Sequence, residues 1–241
     1  MMQDVLFSQP MDPVADFVFD ERVVAVFPDM IQRSVPGYTH VLAMSGVLAG
    51  YFAQPHTQLY DLGSSLGATC RAVQAHVNAG GCVLTGVDNA KAMVEACIQQ
   101  FPATDGKIPV RFVCEDIRET TIFNASVVTM NFTLQFVPLG DREALLRKIY
   151  AGIVPGGVFI MSEKTAFDDE NKQRLFTELH HHFKRCNGYS ELEIAQKRAA
   201  IEQVMIPETT EIHLKRLEEI GFKTCEIWFQ SLNFSAFLAI K

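Results

Sequence analysis

Apolar positions follow one spacing up to about residue 57 and another beyond it. Residues 1–20 mix polar and apolar positions, and Pro10 and Pro13 break any helix there. A helical pattern follows over residues 20–27, with Pro28 and Pro36 as punctuation. Pro36-Gly37-Tyr38 then opens an apolar helix that runs to about Phe52, with proline at its first turn. From Gln58 the texture alternates. Short apolar runs at 58–62, 82–87, 110–114, 125–132 and 158–162 predict strands, and periodic segments at about 68–78, 90–100 and 142–153 predict helices between them. A continuous apolar run such as residues 126–130 suits a strand buried on both faces of a parallel sheet.

The alternation breaks at about residue 168. Residues 168–207 are polar, helical and long, and read as an inserted lid. A helix over 211–220 and two strands, 225–229 and 234–240, close the chain. Only Gln230-Ser231-Leu232-Asn233 separates those strands, which predicts an antiparallel edge hairpin. The expected architecture is one α/β domain with a Rossmann-like, mostly parallel seven-stranded sheet. It comprises a helical cap (1–55), a nucleotide-binding core (56–167), a helical lid (168–207) and a C-terminal helix and hairpin (208–241).

Composition changes this picture little. The chain has 241 residues, 48% of them hydrophobic and 20% charged, with a net charge of −7. That balance argues against a wide nucleic-acid-gripping surface. No apolar run is long enough for a membrane span, and no signal peptide or membrane association is expected. The six cysteines form no C-x-x-C pair and read as reduced thiols of a cytoplasmic protein.

In open α/β sheets, ligands bind beyond the carboxyl ends of the strands. Four predicted strand ends carry residues that suit one ligand. Gly63 and Gly67 flank the first turn, Gly63-Ser64-Ser65-Leu66-Gly67, where backbone can approach a ligand closely. Asp61 is placed to orient that turn or to contact a cationic amine. Asp88, about 25 residues after Gly63, can accept two ribose hydroxyls. Asp116 can accept from an adenine amino group. Asn131 lies at the reacting end. A dinucleotide fingerprint would need a middle glycine for pyrophosphate, and this turn has none. The ligand that fits is S-adenosylmethionine, a phosphate-free cation, with no metal required.

Residues 29–38 (Asp-Met-Ile-Gln-Arg-Ser-Val-Pro-Gly-Tyr) resemble an N-terminal motif of the carboxy-S-adenosyl-L-methionine synthases. So do residues 131–136, residues 183–193, Gln196-Lys197-Arg198 and Trp228-Phe229-Gln230. The resemblance spans nearly the whole chain. It implies a class I methyltransferase fold that carboxylates the methyl carbon of S-adenosylmethionine. Prephenate would be the carboxyl donor, and phenylpyruvate and water the other products. It further implies a homodimer whose product serves a tRNA carboxymethyltransferase making 5-carboxymethoxyuridine at the wobble position. The ligand contacts it implies are Tyr38, Gly63, Ser64, Ser65, Asp88, Asn89, Asp116, Ile117, Asn131 and Arg198, with Tyr38 and Arg198 as catalytic residues. Ser64 stands where relatives carry cysteine, and Cys186 where they carry alanine.

No Ser-His-Asp or Cys-His nucleophile system is evident, which favours substrate-assisted chemistry with positioning and water exclusion as the protein's work. On residue type alone Arg198 reads first as a solvated arginine on a polar helix, with Lys197 as its plain neighbour. The resemblance gives it a two-pronged grip on a carboxylate, from its own or a neighbouring subunit. Arg33 reads as joining the N-terminal helices or as a substrate contact. Lys184 and Arg185 read by default as an exposed face. Adjacent His180, His181 and His182 point in different directions on a helix and make a poor chelator. The competing readings are a conventional small-molecule methyltransferase and a non-catalytic S-adenosylmethionine-binding subunit. The first strand-four motif, Asn131-Phe132-Thr133-Leu134, lacks the Pro-Pro of amine methyltransferases.

Overall fold

The computed structural model describes residues 2–11, 17–101, 108–202 and 204–241; Pro13 lies outside them. The chain begins with α1 (Glu21–Ser34) and α2 (Tyr38–Phe52). Then come β1 (Gln58–Leu62), α3 (Ala68–His76), β2 (Val83–Asp88), α4 (Lys91–Gln100), β3 (Val110–Cys114) and β4 (Ala125–Asn131). After a single 3₁₀ turn come α5 (Leu139–Gly152), β5 (Ile153–Ala166), α6 (Glu170–Cys186) and α7 (Glu191–Glu202). A two-residue strand β6 (Glu208–Thr209), α8 (Thr210–Ile220), β7 (Thr224–Ser231) and β8 (Phe234–Ile240) complete it.

The sheet order is β3-β2-β1-β4-β5-β8-β7, with β6 paired to β5 off this path. β1 to β5 run parallel, and β8 pairs antiparallel with both β5 and β7. The expected seven-stranded sheet with an edge hairpin is therefore present, with β6 added. The hairpin turn is tighter than the sequence implied: β7 runs on through Ser231, and Leu232 takes a left-handed φ of 52°. Chain order reverses between β1 and β4, so a crevice opens between their carboxyl ends.

Strand residues bury alternately on two faces. Leu59, Leu84, Val127 and Ile160 meet α2 and α3 through Ala49, Cys70 and Val73. Tyr60, Leu62, Val128 and Phe159 meet α5 and α8 through Leu146, Ile149, Leu217 and Ile220. Cys70, Cys82 and Cys97 are core thiols, whereas Cys114 and Cys186 are exposed.

Pro28 does not end the first helix. α1 continues to Ser34, because Asp20 caps its first turn by accepting from the Arg22 and Val23 amides, and Val23, Val26 and Met30 bury one stripe. The burial of that stripe against Met93 and Leu66 offsets the hydrogen bond that proline removes.

The 168–207 segment is fastened to the N-terminal helices. Arg33 donates to the Asn187 carbonyl at 2.7 Å, pairs with Asp29 at 3.0 Å and lies over the Tyr189 ring at 4.0 Å. Gln196 donates to the Phe7 and Gln9 carbonyls, and Lys197 donates to Ser34 Oγ at 2.9 Å. Arg33 thus has the joining role, not a place in the crevice. Beneath this layer Arg142, fully buried, donates to the Val137, Gln135 and Ile206 carbonyls and pairs with Glu208 at 2.6 Å.

Candidate active site

The turn after β1 is shaped by glycine. Gly63 has φ 78°, and a Cβ there would meet Thr133 Oγ1 at 2.1 Å, so no larger residue fits. The Gly63 and Ser64 amides both donate to the Val87 carbonyl at the end of β2, at 2.8 and 2.9 Å. Ser65 is held at φ 46°, and its amide donates to Asp88 at 2.8 Å. The other Asp88 oxygen accepts from the Ala90 amide at 2.9 Å. Burial raises the Asp88 pKa against the opposing pull of these amides. Asp88 therefore both faces the crevice and holds the turn.

The end of β4 is fixed from behind by Glu163 on β5. This fully buried carboxylate accepts from the Thr133, Leu134 and Gln135 amides at 3.2, 2.8 and 3.1 Å. Burial pushes its pKa up to about 8 even though three amide donors oppose the rise. With those amides fixed, Phe132 is held at φ 58°, a strained conformation for an aromatic residue. Its ring lies 6.2 Å from both Tyr38 and Phe234.

These elements enclose a cavity of about 300 Å³ at the switch point. Tyr38, Gly63, Ser64, Ser65, Asp88 and Asn89 line it, as do Asp116, Ile117 and Asn131. Nine of the ten expected site residues are thus brought together. The Asn131 amide nitrogen donates to Ser45 and Thr69, while its buried oxygen has no partner; nor has Ser64 Oγ. Both residues line the cavity, and each carries a buried polar atom left unpaired by the protein. The Tyr38 hydroxyl is held protonated by burial and, secondarily, by the Asp61 charge. Asp61 itself does not line the cavity. It accepts from Thr129 on β4 and Cys70 on α3, tying those elements together, and burial raises its pKa to about 6.

Two expectations need correction. In its own subunit Arg198 is not on this wall. It lies exposed on α7, whose buried stripe is Glu193, Ile194, Lys197 and Ala200, and a residue one step from Lys197 points elsewhere. Nor does the 168–207 segment cover this cavity as a lid. The cover is α1 and the chain before it, through Phe19, Phe27, Pro28 and Ile31. And Lys184 and Lys197, read as plain surface lysines, line a second cavity of about 140 Å³ behind the first; Lys197 is only 7% exposed.

Arg118 was not anticipated. It lines the first cavity and grips Asp116 at 2.7 Å and Asp141 at 2.6 Å. Its hydrogen bond to Asp116 holds that carboxyl below the usual range. Asp116 is thus engaged by a cation on the same wall. The signal for the second cavity was available: His180 and Lys184 are four residues apart, as are Lys197 and Ile201, so each pair shares a helix face. His180 is buried, donates to the Ser34 carbonyl at 2.8 Å and is held neutral, its pKa pushed down to about 3 chiefly by burial. The exposed His182 points away from it, as the spacing implied.

A glycine turn, a β2-end aspartate and an orphaned β4 asparagine at the switch point define the class I S-adenosylmethionine-dependent methyltransferase fold. A family model described as a methyltransferase domain matches residues 59–157. Solved structures agree on the fold. Human N-acetylserotonin methyltransferase superposes at TM-score 0.62 with 18% identity, covering 92% of this chain and 55% of that one. An S-adenosyl-L-methionine-dependent methyltransferase from Methanococcus maripaludis, itself assigned by inference, gives 0.58 and 17% over 94% and 95%. Similarity in sequence goes further. The carboxy-S-adenosyl-L-methionine synthases of Aliivibrio fischeri strain MJ11 and Trichlorobacter lovleyi are each 54% identical, over 99% of this chain and 98% of theirs. That of Vibrio cholerae strain O395 is 52% identical over 99% and 97%. The chain belongs to the carboxy-S-adenosyl-L-methionine synthase family.

Asp88→Ala should weaken S-adenosylmethionine binding by about 1.5–3 kcal/mol, the range for hydrogen bonds to a charged group. It should also lower the melting temperature, because the Ser65 and Ala90 amides lose their acceptor. Calorimetric titration together with a thermal melt checks both. Unchanged affinity in a folded variant would remove Asp88 from the site.

Proposed function

We propose that this enzyme transfers a carboxyl group from prephenate to the methyl carbon of S-adenosylmethionine. The carboxylated sulfonium, phenylpyruvate and water are the products. The observation that carries the reading is 54% identity over essentially full length to carboxy-S-adenosyl-L-methionine synthases, joined to the cavity geometry. A sulfonium cation suits a cavity whose lining includes Asp88 and Asp116. Its ribose hydroxyls reach Asp88, its adenine reaches Asp116 and the Ile117 backbone, and its α-amino group donates to the orphaned Asn131 oxygen.

The chemistry is balanced without a protein nucleophile. The bond between the prephenate ring and its carboxylate breaks, and its electron pair enters the ring as hydroxide leaves the opposite carbon. That hydroxide takes a proton from the sulfonium methyl group and becomes water. The resulting carbanion adds to the released carbon dioxide. The protein's part is to hold the partners together and keep bulk water from quenching the carbanion. Tyr38 and Phe132 wall the reacting end. A conventional methyltransferase would need a nucleophile-bearing acceptor in place of the donor. The product serves a tRNA carboxymethyltransferase that completes 5-carboxymethoxyuridine. The protein itself does not grip tRNA, in keeping with its net charge of −7. It works in the cytoplasm. No helix among the described residues is long and apolar enough to cross a membrane.

Arg198 lies on the outer side of α7, so its grip on the new carboxylate is assigned across a homodimer, in the partner's cavity. Its charge supplies selectivity that the acidic cavity lacks.

Incubation with S-adenosylmethionine and prephenate should yield carboxylated sulfonium and phenylpyruvate in equal amounts, read by mass spectrometry. Product without prephenate, or a methylated acceptor, would establish a different reaction. Arg198→Ala should weaken binding of the carboxylated product by roughly a hundredfold while S-adenosylmethionine affinity stays within about tenfold. Paired titrations check this, and equal losses for both ligands would leave Arg198 with a supporting role only.

A further inference from the structure

Residues 2–11 and 17–20 form no helix or strand, so their backbone groups depend on partners from elsewhere. Gln196, on the buried side of α7 and only 7% exposed, serves three of those groups. Its amide nitrogen donates to the Phe7 and Gln9 carbonyls at 2.8 and 2.9 Å, and its oxygen accepts from the Met11 amide at 2.6 Å. One primary amide thereby satisfies groups at alternate residues, as the edge of a neighbouring strand would.

The same helix face holds the rest of the segment. Lys197 donates to Ser34 and lies 3.6 Å from Asp4, and the Ala200 carbonyl accepts from the Phe17 amide at 3.1 Å. Asp4 also accepts from the Tyr189 hydroxyl, and its amide donates to Asp29 on α1 at 2.7 Å. The motif Gln196-Lys197-Arg198 thus divides by helical phase. Its first two residues clasp the N-terminal segment and its third faces outward.

The clasped segment leads to the site through aromatic rings. Phe7 stacks on Phe17 at 6.5 Å, and Phe17 meets Phe19 edge-on at 5.0 Å. Phe19 in turn meets Phe27 and Phe136, each at 6.0 Å. Phe19, Phe27, Phe132 and Phe136 line both the first cavity and the second, rear one, and so form an aromatic partition. Phe132 also walls the reacting end together with Tyr38.

We propose that Gln196 is a positioning residue, whose clasp on the N-terminal segment seals the reacting end against water by way of Phe19. The assignment rests on the carboxyl-transfer reading, whose chemistry makes a seal consequential. Once hydroxide has removed a methyl proton, the carbanion has two fates. It adds to carbon dioxide and gives product. Or it takes a proton from water, which leaves hydroxide and regenerates S-adenosylmethionine while the carbon dioxide escapes. Phenylpyruvate forms either way. A leaking site therefore consumes donor without making product, whereas a site that is merely slow makes less of both. Without the Gln196 amide, two carbonyls and one amide of the segment lose their partner, and Phe19 loses the hold that keeps it on the wall.

The test is the product stoichiometry of the full-length enzyme in D2O. Phenylpyruvate and carboxylated sulfonium are counted above the enzyme-free rate, and recovered S-adenosylmethionine is read by mass spectrometry for deuterium in its methyl group. The wild type should give equal amounts of the two products and unlabelled S-adenosylmethionine. Gln196→Leu keeps the bulk and loses all three bonds. It should give phenylpyruvate in roughly twofold excess or more, with deuterium in the methyl group. Phe19→Leu, which thins the wall without touching the clasp, should do the same. The double variant should match the worse single one, because both act through one unit. Thermal melts establish that each variant is folded. Equal products and unlabelled S-adenosylmethionine in folded Gln196→Leu, however slow, would overturn the seal and leave the clasp a purely structural contact. Excess phenylpyruvate in Phe19→Leu alone would overturn the role of Gln196. A wild-type enzyme inert toward prephenate would overturn the carboxyl-transfer reading and the seal with it.

Discussion

One buried carboxylate sets the working geometry. Glu163 collects the Thr133, Leu134 and Gln135 amides and so fixes the chain where it leaves β4. That hold keeps Phe132 in its left-handed conformation and places Asn131 at the cavity wall. It also fixes Gln135, whose carbonyl accepts from Arg142 and whose side chain meets the Lys164 amide and the Phe132 carbonyl. Arg142 in turn pairs with Glu208 just before α8. A short polar chain therefore runs from the sheet core to the segment behind α7. A buried ionisable group is expensive to keep. Here it orders the partition on which both cavities depend.

The second organising feature is the separation of charge. Acidic residues gather at the switch point, as a cationic ligand requires, and lysines gather behind the aromatic partition. Methyltransferases sharing this fold need one small ligand and an acceptor. A carboxylating enzyme must bind a cation and an anion that attract each other, and must bring them together without water. Helices α1, α6 and α7, which lie outside the matched methyltransferase domain, line the rear chamber.

Much of this was legible in the sequence. Strand ends at Gly63, Asp88, Asp116 and Asn131 follow from period-two and period-3.6 patterns plus the rule that places ligands at carboxyl ends. What failed did so for physical reasons. Pro28 reads locally as a break, but a capped, well-packed helix carries it. Arg118 binds Asp116 through a local turn that no periodicity reveals. On α7 residue type alone reads Arg198 as a solvated arginine and Lys197 as its plain neighbour, and only the resemblance gives Arg198 a ligand role. Helical phase corrects the reading of Lys197: with Glu193, Ile194 and Ala200 inward, Lys197 is inward too, while Arg198 is outward. Where a helix packs depends on partners far away in sequence, here Ser34 and Asp4. The pattern 180/184 and 197/201 would have exposed the lysine chamber, had basic residues been considered as inward-facing.

The central claim is that the carboxyl group passes directly from donor to sulfonium within the site. Prephenate carrying ¹³C only in its ring carboxylate, incubated with the enzyme and S-adenosylmethionine in unlabelled bicarbonate buffer, tests it most directly. The account predicts that the product's new carboxyl group carries the full label and that phenylpyruvate carries none. A product that takes unlabelled carbon from the buffer would contradict it, because the carbon dioxide would then have left the site before the new bond formed.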